Sequence, residues 1–370
     1  MDNIEMYKQA CGAFFDNGNI TYIAPYGEGH INTTMLVCVN GVQYILQRMN
    51  TSVFSSPDDV MNNIYGVTSH LSAKGKETLN VIPTVDGDLY LKHDTGCYRM
   101  YKFIENTVSH QSCPDKETLY YAGKAFGEFQ NALSDFDPAR LKEIIPDFHN
   151  TPKRYENLKK AVDTDKRGRL KACLSEVNFA TQRNNTYSGI VDALNSGEIP
   201  VRITHNDTKL NNILMDCDTN KARAIIDLDT VMPGSMLYDF GDAIRFGTST
   251  GAEDEKELEL IHFDIEAFKA YADGYLEALK DSITEKEVEL MPYSAYLMTM
   301  ECGMRFLTDY LEGDTYFATH YPEHNLVRCR TQFKLASEME KEFEHMSSIC
   351  DAAMKSSKSG GVIDGCISGI

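Results

Sequence analysis

The chain has 370 residues, 42% of them apolar, and a formal net charge of −19. That length exceeds what one ordinary core uses, which predicts two lobes sharing a cleft. The acidity argues against nucleic-acid binding, since that draws on a basic surface to displace counterions from phosphates. No stretch approaches a membrane-spanning apolar run, and the acidic, polar start does not resemble a cleavable signal, so a cytoplasmic location away from membranes is expected. The 10 cysteines are irregularly spaced with no Cys-x-x-Cys pair, which predicts reduced structural thiols rather than disulfides or a zinc site. Nothing in the sequence marks a protein partner.

Residues 20–49 contain alternating β-prone stretches broken at Gly27-Glu-Gly29 and at Asn40-Gly41, the second a strong signal for a tight hairpin turn; a three-stranded meander is predicted. Residues 57–74 carry Val60, Ile64, Val67 and Leu71 on one helical stripe, with Pro57 suited to the first turn. Two more strand-like stretches follow, at 79–85 and 97–105, on either side of Asp86-Gly87-Asp88. From residue 114 the pattern changes to long helices. Leu119, Ala122, Phe126, Phe129 and Leu133 mark the first, residues 155–162 another, and more are predicted over 253–279, 285–311 and 327–346. One β-like interruption spans 201–229. The expected class is α+β: an antiparallel-sheet N-terminal lobe with one helix (1–105), a mainly helical C-terminal lobe (106–355) and a flexible tail rich in Ser and Gly (356–370).

The unusual residues concentrate in the interruption. Ile203-Thr-His205-Asn-Asp207-Thr-Lys209-Leu-Asn-Asn212 has the frame His-x-Asp-x-x-x-x-Asn, the arrangement kinases use for phosphoryl transfer. A carboxylate at Asp207 can accept the proton of an attacking hydroxyl, and Asn212 is a neutral oxygen donor able to share a magnesium ion. A hairpin is predicted with strands at 213–215 and 222–226, which sets Asn212 and Asp227 opposite each other as a hard-cation site requires. If the strand continues, Asp229 faces the same side and serves a second ion or supports the first, or is purely structural. Lys209 is placed to neutralise the γ-phosphate or is simply solvated. The literal Asp239-Phe-Gly241 is read as an N-cap or an interlobe hydrogen bond, not as a metal-binding triplet, because it opens a helical stretch at 240–246. The glycine turn at Gly27 and Gly29 can lay backbone N–H groups over nucleotide phosphates. His320-Tyr-Pro-Glu323-His324 has the letters of a zinc-protease pattern, but Pro322 breaks the helix that such a site needs.

The phrases His205-Asn-Asp207-Thr-Lys-Leu-Asn-Asn212-Ile-Leu, Ile225-Ile-Asp227-Leu-Asp229 and Asp239-Phe-Gly-Asp242 resemble the aminoglycoside phosphotransferase and choline kinase superfamily, which has a two-lobed, protein-kinase-like fold. More narrowly, Pro25-Tyr-Gly-Glu-Gly-His-Ile-Asn-Thr-Thr34, Tyr44-Ile-Leu-Gln-Arg-Met-Asn-Thr-Ser52 and Met300-Glu-Cys-Gly-Met-Arg-Phe-Leu307 look like N-acetylhexosamine 1-kinases. The resemblance implies phosphoryl transfer from ATP, with Mg2+, to the anomeric hydroxyl of N-acetylglucosamine or N-acetylgalactosamine. It also implies Asp207 as base, Asn212 and Asp227 as magnesium ligands, and Gly27 to Gly29 as phosphate cover. Phe103-Ile104-Glu105 becomes the hinge beside adenine, and Arg305, Tyr316 and His30 the sugar contacts. For Arg305 the competing reading is an ion pair with Asp309, four residues on. The chain departs from the kinase pattern at Gln47, where many kinases have a phosphate-pairing lysine, and residues 60–71 contain no glutamate to pair with one. A kinase for another small alcohol, such as a different sugar, an aminoglycoside or a choline-like amine, and a silent nucleotide- or sugar-binding protein are the alternatives.

Overall fold

The computed structural model describes residues 3–27, 31–111 and 115–359. Its contacts group into two compact units, residues 1–109, 135–146 and 213–233 forming one and residues 110–134, 147–212 and 234–370 the other. The sequence reading cuts the chain after residue 105 and again before the tail at 356. Instead the first unit also takes in a loop and the β-hairpin from the middle of the chain.

In the first unit, α1 (Asn3–Gly12) precedes the strands β1 (Ile20–Pro25), β2 (Thr33–Val39) and β3 (Val42–Met49). They form the predicted meander, and Asn40 and Gly41 take the positive φ values of 52° and 81° that a tight two-residue hairpin turn needs. Helix α2 (Pro57–Ala73) starts at Ser56, whose side chain accepts from the Asp59 N–H, and it buries the predicted stripe Val60, Ile64, Val67 and Leu71. Next come β4 (Val81–Ile82), β5 (Leu91–His93), β6 (Gly96–Lys102) and β7 (Thr107–Val108). The sheet order is β1-β2-β3-β6-β4, with β5 also pairing β6.

Alternation along β2 turns Met35, Val37 and Val39 inward, and the register aligns Met35, Leu46 and Met100 across three strands. Tyr7, Ala10, Cys11 and Phe14 pack on that face from α1 and beyond its end, an i, i+3, i+4, i+7 pattern that the sequence reading passed over. Thr34, Gln47 and Arg99 are paired by the same register and lie on the opposite face.

The second unit begins with α3 (Lys116–Ala132), which buries Leu119, Ala122, Phe126 and Phe129 as predicted, with Leu133 buried just past its end. Helices α4 (Thr151–Thr164), α5 (Leu174–Gln182) and α6 (Gly189–Ser196) and the short strand β8 (Arg202–Thr204) follow. The chain then returns to the first unit for the hairpin β9 (Ile213–Asp216) and β10 (Ala222–Ile225), with β7 on its other edge. The ladder shifts register between Ala222 and Ala224, pairs Ile213 with Ile225 and ends there, one residue out of step with the pairing expected for Asn212 and Asp227.

The remaining helices are α7 (Met236–Gly247), α8 (Ile265–Leu279), α9 (Glu285–Glu312), α10 (His324–Lys341) and α11 (Phe343–Ser359). The helix predicted over 253–279 starts only at Ile265, where Asp264 caps the N–H groups of Glu266 and Ala267; before it Leu258–Leu260 make a single 3-10 turn and Phe263 bridges to Ser249. The helix predicted over 327–346 is two helices meeting at Glu342, and the second runs into the segment expected to be a flexible tail, at least as far as Ser359. Among the described residues no helix is long and apolar enough to cross a membrane, and the described cysteines are free thiols.

Helices α3 and α8 meet backbone to backbone. A Cβ on Gly123 would overlap the carbonyl oxygen of Tyr271, and one on Gly274 the carbonyl oxygen of Tyr120. Helix propensity alone makes Gly274→Ala stabilising by about 1 kcal/mol. Forcing the two backbones apart outweighs that gain, so a net loss of about 2 kcal/mol is expected in urea denaturation. A gain in stability would show that the crossing is looser than the structure has it.

Candidate active site

The His-x-Asp loop follows β8 and has no ladder of its own, so its backbone donors need other partners. Asp239, in the first turn of α7, supplies them: its Oδ1 accepts from the Asn206 N–H at 2.7 Å, and its Oδ2 from the His205 N–H at 2.9 Å and from Gln130 Nε2 at 2.8 Å. Thr208 donates to its carbonyl oxygen at 2.6 Å. Burial pushes the Asp239 carboxyl up, opposed by His205 and by the N–H groups aimed at it. The N-cap of α7 is Ser235, and all of these partners belong to the second unit, so Asp239 is neither the N-cap nor an interlobe contact. Asn206 sits at φ 66°, a left-handed turn that asparagine tolerates. His205 is buried against Phe126 and Phe129, and its Nδ1 accepts from the Asp207 N–H at 3.2 Å.

This loop holds three of the predicted residues together. Asp207 is half-buried; Lys209 Nζ pairs with its Oδ1 at 2.7 Å, and Asn212 Nδ2 donates to its Oδ2 at 3.1 Å and to its carbonyl oxygen at 2.8 Å. Lys209 is thus not a freely solvated lysine. Burial disfavours its charge, but Asp207 and Asp242 outweigh that and hold its pKa above the ordinary value. Asp242 is buried beside Arg245, 2.8 Å away; burial opposes its ionisation, and Arg245 and Lys209 override it.

Electrostatic reach continues from Asp242 to His149, which bonds Glu301 through Nδ1 at 2.8 Å. Burial works against the Glu301 charge, but His149, Thr151 and Arg305 keep its carboxyl below the ordinary range. An ionised carboxylate only accepts, so His149 donates from Nδ1, and its Nε2 is buried with no hydrogen-bond partner among the described residues. Arg305 does not pair with Asp309. It lies against the rings of Phe148, Tyr316 and Phe317 at 5.4, 5.8 and 5.4 Å. Asp309 instead accepts from the N–H groups of Thr315, Tyr316 and Phe317, fixing the loop that presents the exposed Tyr316. Burial and the neighbouring Arg305 pull the pKa of Arg154 down, so two guanidinium groups share this wall. Sequence reasoning brought out Arg305 and Tyr316 but not Arg154, His149 or Glu301. His324 accepts from the His320 N–H through Nδ1 and bonds Asp254 through Nε2.

In the first unit Gly27 has φ 76°, with nothing among the described residues within 4 Å of an added Cβ, so its requirement for glycine is conformational. Gly29 and His30 lie outside the described residues. Tyr26, next to Gly27, sets its ring edge-on to Phe103 of the predicted hinge at 5.7 Å. Past Phe103, the Ile104 carbonyl accepts from Thr107 and the Glu105 carbonyl from Arg223. Asp227 is exposed at φ 58°, a left-handed conformation that costs a non-glycine residue about 1 kcal/mol. The strand does not continue to Asp229. Residues Leu228–Thr230 make a single 3-10 turn, and Asp229 is buried, with Oδ1 on Arg99 and Oδ2 on Asn32.

Three solved structures share this fold at low sequence identity. A microcompartment-associated aminopropanol kinase has a TM-score of 0.64 at 16% identity, covering 93% of this chain and 99% of that one. An aminoglycoside phosphotransferase from Alicyclobacillus acidocaldarius has 0.57 at 11%, covering 91% and 96%. Ethanolamine kinase from Plasmodium vivax has 0.56 at 13%, covering 89% and 88%. The antiparallel sheet toward the N-terminus and the helices toward the C-terminus are therefore those of a protein-kinase-like fold. A model of the phosphotransferase enzyme family known as APH matches residues 23–280, and the chain belongs to that family.

Asp239→Asn puts an amide N–H against backbone donors. A stability loss of about 3 kcal/mol is expected in urea denaturation. Little or no loss would show that the loop does not depend on this carboxylate.

Proposed function

We propose that the chain transfers the γ-phosphoryl group of ATP to the anomeric hydroxyl of an N-acetylhexosamine, giving the sugar 1-phosphate and ADP. One observation carries the chemistry: a half-buried carboxylate, Asp207, has one oxygen oriented by Lys209 and the other by Asn212, in a loop fixed from beneath by Asp239. Asp207 accepts the proton of the O1 hydroxyl as O1 bonds to phosphorus and the bond from that phosphorus to the ADP oxygen breaks. Lys209 offsets charge on the transferring group. The glycine turn beginning at Gly27 covers the phosphates, and Phe103, Ile104 and Glu105 border the adenine.

Magnesium is suited to the donor chemistry, since it binds through one or two protein oxygens and completes its shell with phosphates and water. Asn212 would offer its amide oxygen, because its nitrogen is engaged by Asp207, and Asp227 its exposed carboxylate. Among the described residues no three His, Cys, Asp or Glu side chains form a metal cluster of their own, which fits an ion that arrives with the nucleotide. The bound ion would neutralise charge on the transferring phosphoryl group.

For the acceptor, the guanidinium groups of Arg154, on the Phe148 carbonyl at 2.6 Å, and of Arg305, 5.4 Å from the Phe148 ring, oppose a cationic alcohol and favour a neutral one. The exposed Tyr316 ring and the His149 nitrogen that has no partner among the described residues suit a sugar face and a hydroxyl or N–H donor. The structural neighbours named as aminopropanol and ethanolamine kinases make an amino alcohol the second candidate.

A panel of free sugars, amino alcohols, choline and aminoglycosides offered with Mg-ATP, read by phosphorus NMR, is expected to give N-acetylhexosamine 1-phosphate. A 6-phosphate, or turnover only of the amines, would sink the sugar reading. In the active assay Asp207→Asn should lower kcat by about 1,000-fold with the KM for ATP changed by less than about twofold.

A further inference from the structure

The position where kinases place a phosphate-pairing lysine holds Gln47, and α2 supplies no glutamate for one. The acids at the start of α2 are occupied elsewhere, Asp58 with Tyr90 and Lys92 and Asp59 with Ser56. The strand-to-helix ion pair of that pattern therefore cannot form here. A different ion pair stands beside it. Arg99 on β6 is the cross-strand partner of Gln47, its side chain is 1% exposed, and it pairs with Asp229, whose side chain is 4% exposed.

We infer that the Arg99–Asp229 pair is a positioning device for Asp227, standing in for the missing lysine–glutamate pair; this rests on the reading of Asp227 as a magnesium ligand. Arg99 Nε donates to Gln47 Oε1 at 2.9 Å, and Gln47 Nε2 donates to Thr34 Oγ1 at 3.0 Å, so the guanidinium is locked to two neighbouring strands. Its Nη1 grips one oxygen of Asp229. Asn32, itself fixed by the Asn50 N–H at 3.0 Å, grips the other. The turn that carries Asp229 is also held at its far end, where Asn63 of α2 donates to the Val231 carbonyl at 2.9 Å. Leu228 is buried between these anchors.

Asp227 begins this turn in the left-handed conformation, which persists only where surrounding contacts over-determine it. Asp229 is buried, with one oxygen on Arg99 and the other on Asn32. Its charge is cancelled within the sheet by Arg99, which burial disfavours but Asp229 stabilises. The segment then presents one exposed carboxylate, Asp227, in a fixed direction, and the gripping role passes from helix and phosphate to strand and turn.

The test is calorimetric binding of ADP in magnesium and in EDTA, on the full chain, with thermal denaturation confirming that each variant is folded. The double variant Arg99→Met with Asp229→Leu removes both charges without stranding either in the interior. It is expected to bind ADP in EDTA like the parent but to lose about tenfold of the magnesium-dependent gain in affinity, as loss of a supporting contact around a metal ligand does. Arg99→Lys keeps the charge without the fork and should lose a smaller part of that gain. An unaltered magnesium gain in either folded variant overturns the inference. Asp227→Asn separates the two claims: if it abolishes the gain while the Arg99 variants keep it, only the positioning role fails, and if it too keeps the gain, the metal reading fails with it.

Discussion

The buried carboxylate of Asp239 is the constraint on which the His-x-Asp loop depends. A segment with no strand or helix ladder can hold a fixed shape only if its N–H groups are paired, and here two successive ones converge on a single side chain. Because that side chain belongs to the first turn of α7 and is tied to Gln130 of α3, the orientation of Asp207 is set by the rigid packing of helices rather than by the loop itself. The left-handed Asn206 is what lets both N–H groups face the same way.

The same device recurs. Asp309 gathers the N–H groups of residues 315–317 and so presents Tyr316, an acid that a motif scan would read as one half of a surface ion pair. Asp229 differs in being held by the side chains of Arg99 and Asn32. Of the acids singled out in the sequence, Asp207 is half-buried and Asp227 exposed.

What was legible in the sequence follows from the range of each interaction. Strong local periodicity gave the meander, α2 and α3, and the spacing between Asp207 and Asn212 is short enough for one loop to bring them together, as it does. The hairpin was also legible, but its register depends on the irregularity between Ala222 and Ala224, which no residue pattern announced. The assumption that β-structure runs on to Asp229 failed because Asp227 reverses the backbone. The pairs Arg99–Asp229 and His149–Glu301 are 130 and 152 residues apart, beyond the reach of any local rule. Arg99 did leave a trace, a lone cation inside the apolar run Tyr98-Arg-Met-Tyr101, and such a residue in a buried strand requires a distant anion.

The first unit is assembled from three separated stretches of chain, the last ending at residue 233. During synthesis its sheet can collapse early, yet Arg99 waits in that sheet as a solitary charge until Asp229 has emerged, more than a hundred residues later. The helices α3 to α6 must be made, and kept from trapping the half-finished sheet, before that neutralisation becomes available. A ribosome-bound chain halted anywhere short of the hairpin is thus an unfinished first unit however complete its strands look.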